Sequence, residues 1–263
     1  MNAPQSQSRK VATAAVTLHV RPDGSNDASG LTDTPADAFS TIQGAVNSLM
    51  WNWDLRGRMA KIKVADGIYS DRVSVRRSPL GSTSRPAIII EGNIGSPANC
   101  VLDIPNGHAF ENWGGYIEIT GFKITTNNGA CIFGHDPGQT LIGSLDFGQS
   151  GAEHVLVADN HVVRHRRDYA ISGGATIHAH VADGASYGNG RKIFLIGTPH
   201  FRHEFHGLNF AKSLWTGTTF IGDATGVRHV VHFNSVCAIG GANRDTFFPG
   251  DQSGVVSDFS TMA

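Results

Sequence analysis

A surplus of charge of either sign is missing from this chain. Its 263 residues carry 21 Lys plus Arg against 22 Asp plus Glu, a formal net charge of -1. Gripping nucleic acid or an anionic membrane needs a basic surplus, so neither is an expected partner. Charged residues make up only 16% of the chain, low against the usual quarter, which argues against a helical bundle. Cysteine is scarce and odd in number. Cys100, Cys131 and Cys237 have no Cys-x-x-Cys spacing, so a disulfide framework or zinc ribbon is not expected, and the three read as small buried hydrophobes made in a reducing cytoplasm. No run reaches the ~18 apolar residues of a membrane span, and the opening Met1–Val16 has no long apolar stretch of the signal-peptide kind. The expectation is synthesis in the bacterial cytoplasm without a signal peptide.

Glycine is abundant instead, at 32 residues, which fits a β-rich chain with many tight turns. From Lys61 onward, β-branched triplets alternate with Gly, Asn and Asp. They include Ile62–Val64, Val73–Val75, Ile88–Ile90, Ile117–Ile119, Phe122–Ile124, Val155–Val157 and Ile193–Leu195. Each triplet puts its first and third residues on one face, the period of a strand. Triplets starting at 88, 117, 155 and 193 suggest a repeat of 29 to 38 residues, in the range of a solenoid or a propeller. No four-strand blade motif is present, so stacked parallel rungs fit better. Earlier, Phe39, Ile42, Val46 and Leu49 lie at helical spacing within 38–49, with Asp37 or Ser40 as the expected cap. Such a helix would cover the open edge of the first rung. The expected fold class is all-β, a single-stranded right-handed parallel β-helix with an N-terminal capping helix. Its divisions are an attachment arm at 1–16, strand and helix at 17–60, the coil at 61–240, and a C-terminal cap and tail at 241–263, with 257–263 frayed.

Several stretches resemble a known family. Val20-Arg-Pro-Asp-Gly-Ser-Asn-Asp, Ala38-Phe-Ser-Thr-Ile-Gln-Gly-Ala-Val46 and Val64-Ala-Asp-Gly-Ile-Tyr69 are similar to the first rungs of pectin-lyase-like β-helices. Asp168-Tyr-Ala-Ile-Ser-Gly-Gly-Ala175, Thr219–His229 and Phe247-Phe-Pro-Gly250 resemble the β-helix structural proteins of phages, prophages and gene transfer agents. The resemblance runs from Val16 to Gly254. It implies a spike or fibre on a phage-like particle, joined to other particle proteins through the arm and meeting host surface polysaccharide. It also implies a homo-oligomer, with a trimer the first expectation. Asn243-Arg-Asp245 and the many histidines depart from the family pattern. No cofactor and no catalytic residue follows from it, since the matching motifs are turns and strand cores.

Three groups of residues are chemical candidates. Candidate carboxylates for a shared groove are Asp103, Glu111, Glu118, Asp136, Asp146, Glu153, Asp159 and Asp168, and a facing pair roughly 5 to 10 Å apart would suit glycoside hydrolysis. Solvated turn residues are the plainer reading. The basic run His161, Arg164, His165, Arg166 and Arg167 offers guanidinium forks for an acidic sugar, with a merely solvated face as the alternative. Trp113 sits in an apparent turn, where an aromatic platform for sugar is well placed. Trp51 and Trp53 read as packing under the cap, and Trp215, Tyr116, Tyr169 and Tyr187 as further possible platforms. His178 and His180 on one strand face, and His200, His203, Glu204 and His206, are weak metal candidates, with no complete ligand set. The leading expectation is a glycan-contacting particle part. The alternatives are a polysaccharide depolymerase, hydrolase or lyase, and a purely architectural component.

Overall fold

A computed structural model describes residues 9–83 and 85–263. The chain is all-β, 45% strand, and winds into a right-handed parallel β-helix of about 8 turns. Three parallel sheets form its walls. Sheet 1 has ten strands, from Val16–Val20 through Tyr116–Thr120 and Val162–His165 to Thr261–Met262. Sheet 2 has seven, from Gly67–Tyr69 to Thr219–Ile221, and sheet 3 has eight, from Val73–Val75 to Val255–Val256. Each triplet singled out above lies in a strand, and the first and third residues of every one are buried. The β-branched side chains stack rung on rung, each side chain contributing about 1.5–3 kcal/mol by leaving water.

The rung length differs from the expected repeat. Ile117 pairs with Ile88, but its other partner is Thr140, and the column continues through Val163, Tyr187, Ser213 and Cys237. Successive rungs are therefore 23 to 26 residues long beyond Ile117. The triplets at 155 and 193 belong to sheets 3 and 2 and are not repeats of the one at 117. The true repeats are hidden because Thr140, Tyr187 and Ser213 place polar atoms in the inward column.

Sheets 1 and 2 meet at a sharp corner. Gly121 joins them with φ of +80°, and a Cβ there would lie 2.7 Å from the backbone of Gly92 on the rung below. Only glycine fits such a position.

The capping helix spans Ile42–Asn52, and its N-cap is Thr41, whose hydroxyl accepts the Gly44 N–H at 3.0 Å. Asp37 and Ser40 are not the cap. Phe39 belongs to an extended segment that bridges to Val20, and Asp37 closes the turn before it, accepting the backbone N–H groups of Ser29 and Thr32. Ile42, Ala45, Val46 and Leu49 seal the first rungs. Of the expected arm, residues 1–8 lie outside the described residues. The rest packs on its own chain: Lys10–Val11 pairs with Trp53–Asp54, and Arg9 donates to the carbonyls of Met50 and Trp53. The C-terminal residues are not frayed, since Thr261–Met262 adds to sheet 1 against Val236–Cys237. Phe248 is buried against Phe205, Trp215 and Phe220, and plugs that end of the core.

Candidate functional site

The histidines divide by side of the wall. His154, His161, His165, His178, His206 and His229 are buried, and hydrogen bonds fix several of them as neutral. His154 Nε2–H donates to the Gly148 carbonyl at 2.9 Å, so its Nδ1 must accept. His178 Nδ1–H donates to that atom at 3.2 Å, and His178 Nε2 then accepts the Tyr169 hydroxyl at 2.9 Å. The chain ends at Asn189, whose amide donates to the Tyr169 oxygen at 3.2 Å. His161 donates from Nδ1 to the Asp136 carbonyl and accepts the Thr140 hydroxyl at Nε2. His206 repeats the pattern, with the Ala179 carbonyl on one side and Ser213 and Trp215 on the other. Burial pulls His154 down to about 4, and His165 and His206 to about 3. These rings are core joints.

This placement corrects several expectations. His161 and His165 face inward, so they form no stripe with the arginines. Arg164 and Arg167 are exposed on and beside sheet 1, while Arg166 is tied to Glu118 at 3.0 Å. His178 and His180 do not share a face. Strand Ala175–Ala182 shifts register near Ile177, so His178 and Ala179 both point inward and His180 points out beside Glu153, 3.7 Å away. His206 is likewise in the core, apart from the exposed His200 and His203. Among the described residues, no group of three or more His, Cys, Asp and Glu is arranged to hold a metal ion. Trp215, Tyr169 and Tyr187 are buried and offer no platform, whereas Trp51 is 62% exposed and not packed under the cap.

The carboxylates are dispersed, with Glu118 buried against Arg166 and the other seven half-buried or exposed. Asp146 pairs with Lys123 at 3.5 Å, Asp103 accepts from Thr125, and Asp168 accepts the Lys192 N–H. Asp136 and Asp159 sit in left-handed turns. Of the eight, Glu111 alone reaches the main cleft of the molecule.

That cleft, about 830 Å³, lies between the capping helix and the first rungs of sheet 3. Asn47, Trp51 and Asn52 of the helix face Asp71, Arg72 and Glu111 across it, with Asp27 at one end. A second recess of about 530 Å³ adjoins it, sharing Gln43, Asn47, Trp51 and Ser74, and adds Arg76 and Arg77. The helix is locked to the wall by Gln43, which accepts the Ser74 N–H at 2.6 Å. The Arg77 guanidinium lies 5.5 Å from the Trp51 ring, and that of Arg76 lies 5.8 Å from the Trp113 ring, both within cation–π range. Trp113, at the end of strand Phe110–Trp113, leads an aromatic row that runs from the exposed Trp113 through the buried His135. His135 lies against it, Phe133 stacks on His135 at 4.4 Å and His108 follows at 4.8 Å. Aromatic faces, guanidinium forks and side-chain amides together are the donor set for a hydroxyl-rich, partly charged ligand.

Trp113 ends a strand instead of sitting in a turn; it is exposed, and its cationic neighbour is Arg76, not the run at 164–167. The pair Arg76–Arg77 follows a core triplet directly. Basic residues at a strand end beside a helix with an outward Trp were the available signal.

Comparison with family models, with curated proteins and with solved structures finds no match.

Proposed function

We propose that this β-helix is a non-catalytic surface part of a phage or phage-like particle and holds host-cell polysaccharide in the cleft between its capping helix and sheet 3. One observation carries the reading: exposed Trp51 lines both the cleft and the adjoining recess beside Arg77, and Arg76 of the same recess stands beside exposed Trp113. The capping helix, tied to the wall through Gln43 and Ser74, supplies one side of the site in fixed secondary structure, which favours binding without a large ordering cost. The resemblance to particle β-helix proteins supports the placement on a particle, attachment through the N-terminal residues and a homo-oligomer, a trimer first.

A depolymerase is the second reading, favoured by Asp71 and Glu111 lining the same cleft. An architectural role is favoured by the aromatics on one corner of the last turns, where Phe210 and Phe233 stack at 5.2 Å and Phe259 is 96% exposed. Incubating the purified protein with host capsule, and scoring both retention and polymer length, separates the three. Retention without shortening, lost in Trp51→Ala/Trp113→Ala, supports binding. Shortening points to Asp71 and Glu111, and neither effect leaves the architectural role.

A further inference from the structure

The two halves of the site differ in charge. The cleft carries Asp27, Asp71 and Glu111 against Lys10 and Arg72, and Arg72 is 3.9 Å from Glu111. The recess carries Arg76 and Arg77 and no acid. Neither arginine forms an ion pair among the described residues. Each instead lies over a tryptophan that is itself exposed. The recess floor is apolar, made by Val46 and Met50, which are 1% and 8% exposed.

We infer, on the footing of the polysaccharide reading above, that the site takes a glycan in which an anionic sugar alternates with a neutral one. The anionic unit lies in the Arg76–Arg77 recess and the neutral unit in the acid-lined cleft. A planar guanidinium with no carboxylate partner in the protein is matched by a carboxylate or sulfate, which it grips through two parallel hydrogen bonds. An apolar floor beneath it lowers the local dielectric and strengthens that contact. In the cleft the balance reverses. A second anion there would face three carboxylates against two cations, so a chain charged at every unit meets repulsion at every other position. Hydroxyl and acetamido groups suit the cleft instead, where Asn47 and Asn52 of the helix and the carboxylates of Asp27 and Asp71 supply donors and acceptors. Trp51 lines both volumes and is placed to pack on the linkage between the two units.

Titration calorimetry with defined oligosaccharides tests this. The probes are hyaluronate and chondroitin octasaccharides, acidic at every second unit, an oligogalacturonate of equal length, acidic at every unit, and a neutral dextran oligomer. An alternating probe should bind at least tenfold more tightly than the other two. Arg76→Gln/Arg77→Gln should lose at least tenfold of that affinity and flatten its salt dependence. Arg191→Gln/Lys192→Gln, an equal loss of two positive charges on the sheet 2 side, should leave binding within twofold, and melting temperatures verify that each variant folds. Tighter binding of oligogalacturonate overturns the charge partition. Equal binding of dextran, or an alternating probe that ignores the arginine substitutions, overturns the anionic recess while leaving polysaccharide binding intact. No binding of any probe overturns both.

Discussion

His154, His165 and His206 lie inside the coil, each buried, with their ring nitrogens committed as neutral donors or acceptors where they are paired. Burial holds them at about 4, 3 and 3, while the unfolded chain returns them to about 6.5. The unfolded state therefore binds protons first as the pH falls. Stability is complete above pH 6.5, is lost progressively below it, and stops changing only near the folded values of 4 and 3. At pH 5 each ring is almost fully protonated when unfolded and almost fully neutral when folded, a cost of about 2 kcal/mol per histidine relative to pH 7. His154 and His165 both neighbour Tyr169 or its partners, so the three do not add fully, and about 4 to 6 kcal/mol is expected. That is a large share of the 5–15 kcal/mol of an ordinary domain. Urea unfolding at pH 7, 6 and 5, followed by far-ultraviolet circular dichroism, should show the midpoint falling steadily at constant slope. Asp37, held near 2 by Ser29 and Thr32, titrates well below this window. Equal midpoints at pH 7 and pH 5 would refute the reasoning.

Three further outcomes follow from the packing. Gly121→Ala forces a methyl against Gly92 at positive φ and should lower stability by about 3 kcal/mol, read as a drop in melting temperature. Phe248→Ala removes the plug beneath Trp215 and Phe205 and should cost about 3–5 kcal/mol, with a red shift of Trp215 fluorescence as water reaches the ring. Thr140→Val keeps the shape but leaves His161 Nε2 without its 3.0 Å donor, at about 1–2 kcal/mol. An unchanged urea midpoint in that variant would contradict the structural role assigned to His161.

The parts of the fold legible in the sequence are those where apolar alternation is uninterrupted. Ile88–Ile90 and Ile117–Ile119 announce their strands and their mutual register, because nothing polar intrudes on the inward face. The later rungs do not, because Thr140 and Ser213 stand inward to serve His161 and His206. The partner of Thr140 lies 21 residues away in sequence and that of Ser213 seven, outside its own strand in each case, so neither pairing leaves a mark in the local alternation. Histidine orientation was illegible for a related reason. Two consecutive inward residues, His178 and Ala179, follow a shift of register near Ile177, and alternation carried on from His178 misplaces His180. The site was half legible. Trp113 is named by its Gly-Gly setting, but the cleft exists only because the capping helix docks beside Arg76 and Arg77, a contact between segments about 25 residues apart.

If the cleft is the surface that meets polysaccharide, the four tryptophans report on it separately. With 5-fluorotryptophan incorporated, fluorine resonances of Trp51 and Trp113 should shift on addition of host capsule oligosaccharide. The resonance of Trp215, buried at the far end of the coil, should stay fixed. Binding that leaves Trp51 and Trp113 unmoved would place the glycan elsewhere and contradict the assignment of this cleft.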